Sequence, residues 1–99
     1  MECFKVLRQN LKSVGLLQAA FLQYKLDKWV KPMEPLSSHP RKGGGLWVVP
    51  KKSNAVAMKK YLARKHNLTS RIFRCRIGKI IYRSSCRIKT DKVMLTEEV

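Results

Sequence analysis

Apolar residues follow two rhythms along this chain, and each predicts a different element. From Ser70 to Ile77 the period is two: Phe73, Cys75 and Ile77 share one side with Arg71, while Ile72, Arg74 and Arg76 share the other, as in a half-buried strand. From Asn54 to His66 the spacing lengthens. Ala55, Met58 and Leu62 stand at i, i+3 and i+7 with Ala57 and Tyr61 adjoining, and Lys59, Lys60, Arg64 and Lys65 fill the remaining surface, as in an amphipathic helix. Ser53 or Asn54 would cap its start, and Asn67 would stop it.

The remaining segments are shorter. Cys3 to Arg8 reads as a first strand with Phe4 and Val6 on one face, Asn10 to Gly15 carries turn chemistry, and Val14 to Leu22 favours a short helical turn. Phe21 to Val30 reads as a strand or strand pair, with Leu22, Tyr24 and Leu26 alternating against Gln23, Lys25 and Asp27 until Pro32 ends it. Leu46 to Val49 is a compact apolar run that suits a central strand buried on both faces, closed by Pro50. Gly78 allows a turn or bulge before three further short strands at Lys79 to Ser84, Cys86 to Lys89 and Val93 to Thr96. Strands, one good helix and then more strands predict an α+β fold, a small mostly antiparallel sheet with one main helix packed on it.

Prolines at 32, 35 and 40 and glycines at 43 to 45 make Lys31 to Gly45 a long surface loop. Two domains joined there would each be too small to hold a core comfortably, so residues 1–99 are expected to form a single domain.

Charge changes the picture more than composition does. From Pro35 to Thr90 there is no Asp or Glu, although fifteen Lys or Arg stand in that stretch, and it carries most of the net +16 of the 99-residue chain. Such an excess repels itself and must be offset by something outside the chain, and a polyanion, DNA or RNA, is the simplest candidate. The eight aromatic residues and the 44% hydrophobic fraction argue for a packed body displaying this charge rather than a disordered basic tail. The alternative is a basic surface that is merely solvated. An anionic membrane suits the pattern less well, because the basic residues do not gather on one strongly amphipathic helix.

The longest apolar stretch, Val14 to Leu22, is broken by Gln18 and too short to span a bilayer. Glu2 and Cys3 stand where a secretory signal would place Lys or Arg, so an intracellular protein is expected. Cys3, Cys75 and Cys86 include no C-x-x-C pair, which argues against structural zinc; Cys75 and Cys86 either bridge neighbouring strands or remain reduced. The two histidines, His39 and His66, have no metal-ligand spacing, and no pair among the six carboxylates suggests a catalytic dyad. No cofactor, metal or catalytic residue is expected.

The candidate binding residues follow from pattern. Arg74 and Arg76 lie two apart on a strand, about 7 Å, which is close to the spacing of successive phosphates. Arg83, Arg87 and Lys89 on later strands would widen that stripe, and the Arg fork suits phosphate and can stack on a base. Lys59, Lys60 and Arg64, with Lys65, offer a second basic surface on the helix, better fitted to phosphate than to base reading. Arg41, Lys42, Lys51 and Lys52 bracket the Leu46 strand as an anion patch. Gly43 to Gly45 between them sits before a strand rather than a helix, which suits a hinge better than a phosphate cradle.

Phe4-Lys5, Gln23-Tyr24 with Lys28, Gly44 to Val48, the helix ending near His66, Ser70-Arg71 and Gly78-Lys79-Ile80 form an order of short motifs. That order resembles small uncharacterised α+β domains encoded by phages and other viruses. The segment from Gly45 through the helix also resembles ADP-ribosyltransferase-like folds, which implies a dinucleotide phosphate held by the basic loop and Glu97 or Glu98 as a catalytic acid. Three functions are therefore weighed. The first is a small non-enzymatic nucleic-acid-binding protein, viral if the first resemblance holds, contacting the phosphate backbone with little sequence preference. The second is a protein-interaction module, binding a host factor or a second copy of itself, with Trp29 and Trp47 as anchors. The third is the nucleotide-using enzyme.

Overall fold

The computed structural model describes residues 2–14, 22–32, 35–39 and 44–99. Seven strands and one helix follow in the order β1 (Glu2–Arg8), β2 (Trp29–Val30), β3 (Leu46–Val48), α1 (Lys52–His66), β4 (Ser70–Ile77), β5 (Ile80–Arg83), β6 (Ile88–Thr90) and β7 (Val93–Glu98). They form a four-stranded sheet, β1-β4-β7-β2, and a three-stranded sheet, β3-β6-β5, with every strand pair antiparallel. The fold is α+β, with one helix packed on a mostly antiparallel sheet.

β1 explains how the layers meet. Phe4 and Val6 turn toward α1, where they pack with Val49, Ala55, Leu62 and Ile72. Cys3 and Leu7 turn the other way, into a second core with Tyr24, Leu46, Val48, Phe73, Cys75, Ile88, Val93 and Leu95. The large sheet is thus apolar on both faces, covered by the helix on one and by the small sheet on the other. Phe4 and Val49 exchange backbone hydrogen bonds of 2.8 and 2.9 Å, which ties β1 to the end of β3.

The period-two reading of Ser70 to Ile77 and the face assignment of Phe4 and Val6 agree with these positions. The helix extends two residues earlier than its apolar spacing indicates. Lys51 occupies the N-cap position with no side-chain hydrogen bond, so Ser53 and Asn54 lie in the first turn instead of capping it. Asn67 does end the helix, in the left-handed region at φ 49°, and the Leu68 N–H reaches back to the Leu62 carbonyl at 3.1 Å.

Two expectations need correction, and the state of the cysteines, left open by the sequence, is the reduced one. Leu46 to Val49 is not a central strand buried on both faces: β3 lies at the edge of the small sheet, and between inward Leu46 and Val48 it turns Trp47 outward, half-buried. The strand expected over Phe21 to Val30 shrinks to Trp29–Val30. Asp27 adopts φ 59° and donates its N–H to the Leu95 carbonyl, and the Tyr24 N–H goes to the Leu11 carbonyl, so single bonds to distant segments replace a regular ladder there. No bridge joins Cys75 to Cys86: all three thiols are free, Cys86 is exposed, and buried Cys75 stands opposite buried Cys3 across β1 and β4. The helical turn expected from Val14 to Leu22 falls largely on residues 15–21, outside the described residues.

The inter-sheet core also receives a lysine. Lys5 shares the inward side of β1 with Cys3 and Leu7, and its Nζ donates to the Trp47 carbonyl at 2.6 Å and lies 5.4 Å from the Tyr24 ring centre. Burial lowers its pKa to about 8. Burial pushes the neighbouring Cys75 thiol up to about 12, and Tyr24, whose buried hydroxyl has no hydrogen-bond partner, also titrates above its ordinary range. Among the described residues no helix is long and apolar enough to cross a membrane.

Candidate nucleic-acid interface

The basic residues that the sequence places on one stripe meet three different environments. Arg74 is largely neutralised. It forms ion pairs with Glu97 and with Glu2, the latter 3.1 Å from Nε without hydrogen-bond alignment, and its guanidinium lies 5.9 Å from the Phe4 ring. Arg71 is committed in the same way. Its fork donates two hydrogen bonds, of 2.9 and 2.7 Å, to Glu98, and these hold the Glu98 carboxyl below the usual carboxylate range. The acids at the two ends of the chain thus converge on the first half of β4. They also include the two glutamates that the transferase resemblance would make catalytic.

Arg76, Arg83 and Arg87 are exposed, and none of them pairs with an acid among the described residues. β-Sheet register sets Arg76 opposite Glu2, and the Arg83 charge acts on Cys3, so both arginines lie near the start of β1. Beside Arg76 the surface forms a shallow, open concavity of about 350 Å³ lined by Glu2, Arg74, Cys75, Arg76 and Thr96. Lys59, Lys60 and Arg64 are exposed on α1, as expected of its outer face. Lys59 acts on Glu98, which places it toward the Arg71 end of β4, away from Arg76. The charge is therefore split between at least two regions rather than gathered in one stripe.

Lys89 departs most from its expected role. It is fully buried, and its Nζ donates to the His39 carbonyl at 3.0 Å. Register explains this. Lys89 is the middle member of a row, Trp47, Lys89 and Tyr82, on the outer face of the small sheet, and His39 and Gly45 both lie against its side chain. A Cβ on Gly45 would come within 2.7 Å of the Lys89 stem, and Gly44, at φ +90°, packs against the Pro35 carbonyl. Gly44 and Gly45 therefore allow close backbone packing at this point, which replaces the hinge expected from composition. Arg41 and Lys42 lie outside the described residues; Lys51 and Lys52 are exposed at the start of α1.

The sequence gives no warning of the aromatic row. Trp47 and Tyr82 meet edge to face with ring centres 5.8 Å apart. The Arg87 guanidinium lies 4.3 Å from the Trp47 ring centre and the Lys89 ammonium 5.6 Å from it. The turn between β5 and β6 fixes the approach of Arg87: the Ser84 N–H donates to the Arg87 carbonyl at 2.9 Å, and the Arg87 N–H donates to Ser84 Oγ at 3.3 Å. A second cation and ring pair, Lys92 over Trp29 at 4.5 Å, lies on the β2 side of the large sheet.

Compared with known protein families, with characterised proteins and with solved structures, the chain gives no match.

Proposed function

We propose that this chain binds nucleic acid through the phosphate backbone, with little sequence preference and without chemistry of its own. The observation that carries the reading is the acid-free run from Pro35 to Thr90 on a packed body. The ion pairs among the described residues are all spent on Arg71 and Arg74, which leaves Arg76, Arg83, Arg87, Lys60 and Arg64 exposed and without an acidic partner. Clustered cations without local counterions gain free energy by displacing the condensed ions of a polyanion. Fluorescence anisotropy with labelled oligonucleotides at several salt concentrations tests this. The logarithm of the binding constant should fall linearly with that of the salt concentration, by about 0.7 to 0.9 for each phosphate engaged. A flat response, or no binding at low salt, discards the reading.

A second reading, a protein-interaction module, is favoured by one observation. Leu26, Trp29 and Leu36 are 48%, 38% and 52% exposed, and Trp29 sits on β2, at an edge of the large sheet. A half-exposed tryptophan on a strand edge is a suitable anchor for a partner. Sedimentation across a concentration series distinguishes a self-associating chain from a monomer.

A further inference from the structure

We propose that the nucleic acid is single-stranded and that one of its unpaired bases is received at Trp47 on the outer face of the small sheet. This rests on the nucleic-acid reading above and deepens it. Trp47, Lys89 and Tyr82 lie side by side across β3, β6 and β5, and neither aromatic belongs to either core. Trp47, turned outward between inward Leu46 and Val48, is half-buried with Tyr82 at its ring and the exposed Arg87 guanidinium over it, so a base is received by stacking on that guanidinium or by taking its place on the indole, at little sequence preference. Bases in a duplex are already stacked and paired, so a surface of this type selects those that are not.

The surrounding charge suits the same ligand. Arg87, exposed and without an acidic partner among the described residues, stands over the indole and sets a positive charge at the platform. The guanidinium plane is itself a surface on which a base can stack. Arg83 does not belong to this platform: it pairs with inward Ile88 and lies on the opposite face, toward the start of β1. The Ser84 and Arg87 hydrogen bonds order the β5–β6 turn before binding, which reduces the entropy lost on association. α1, the element shaped for a major groove, presents mainly lysines, Lys59, Lys60 and Lys65 with Arg64, a set better fitted to phosphate than to base reading.

The experiment uses the full chain and three probes of equal length and label: a single-stranded pyrimidine DNA, the matching single-stranded RNA, and a DNA duplex. Both single strands should bind about tenfold or more tightly than the duplex at the same salt, since one stacked base contributes about 1–3 kcal/mol. In a Trp29→Phe background, saturation with single strand should quench the fluorescence of Trp47. Trp47→Leu should weaken single-strand binding by roughly five- to 150-fold while leaving the salt slope unchanged, because it removes stacking and no charge. Trp47→Phe, which keeps a ring, should retain affinity within about threefold. Should Trp47→Leu fail to fold, the quench and the Trp47→Phe result decide. Equal affinity for duplex, or no quench at saturation, overturns single-strand selection while leaving the nucleic-acid reading intact. Salt-insensitive or absent binding to all three probes overturns the reading beneath it instead.

Discussion

Lys5 occupies an inward position of β1 between Cys3 and Leu7, and this sets an ammonium against the inter-sheet core with the Trp47 carbonyl as its hydrogen-bond acceptor. Below pH 8 the folded and unfolded chains both carry this charge, and folding bears its full desolvation cost of about 3 kcal/mol. From pH 8 to the ordinary lysine value near 10.5 the folded chain releases the proton while the unfolded chain keeps it, so that cost is removed. Cys75 acts in the opposite direction. With its thiol pushed up to about 12 from near 9, it stays protonated in the fold while the unfolded thiol ionises, so stability declines above pH 9. Resistance to urea should therefore rise from about pH 8 to 9, level off while the two effects oppose each other, and fall above about pH 10.5. Lys5→Met should abolish the rising limb while leaving the decline. A profile that is flat from pH 7 to 9 in the unsubstituted protein would show that Lys5 is not held in the interior.

At the scale of the element, α1 illustrates what local pattern reveals and what it leaves out. The apolar spacing of Ala55 and Leu62 and the stop at Asn67 are written in the sequence, because both arise within a few residues. The helix start is not: Lys51 takes the N-cap position although its side chain cannot accept a hydrogen bond, and no acid stands in the first turn. Lys51→Asp should supply the missing acceptor and favourable charge there, and raise stability by about 1 kcal/mol in denaturant titrations. The same change should weaken oligonucleotide binding if the start of the helix meets phosphate. The strands follow the same rule. β4 is legible from its own alternation, whereas the face occupied by Trp47 depends on β3 being an edge strand, and the brevity of β2 depends on hydrogen bonds to Leu95 and Leu11 from other parts of the chain.

Over the whole molecule, the acid-free run is visible in the sequence, but the fate of each charge is not. Arg74 and Arg76 look equivalent on paper, two residues apart on one strand face. Both Glu2 and Glu97 reach only the first of them: Glu97 stands opposite Arg74 across β7, and Glu2, although opposite Arg76 in register, sets its carboxylate against Arg74. Arg76→Ala should lower the salt slope by about 0.7 to 0.9, one phosphate contact, with little change in stability. Arg74→Ala should barely move the slope and should destabilise the fold, since it strands two carboxylates. Equal slopes for Arg76→Ala and the unsubstituted protein would place phosphate binding away from Arg76, at the β5–β6 turn or on the helix. Lys89, which the sequence offers as one more surface cation, is a packing residue, and its replacement should be felt in stability first.

The pairing of β1 with β4 also dictates how the chain can assemble. Cys3 finds Cys75, and Val6 finds Ile72, only once β4 exists, so β1, tied before that only to Val49, lacks its ladder partner until more than sixty further residues have been made. Until then both cores that cover Phe4, Val6 and Leu7 are incomplete, lacking Ile72 on one side and Phe73, Cys75, Ile88, Val93 and Leu95 on the other. Contacts between such distant segments slow folding and lengthen the interval during which a nascent chain is prone to aggregate. A polypeptide interrupted before Ser70 keeps that sticky strand permanently, which makes incomplete copies of this protein natural substrates for chaperones and proteases.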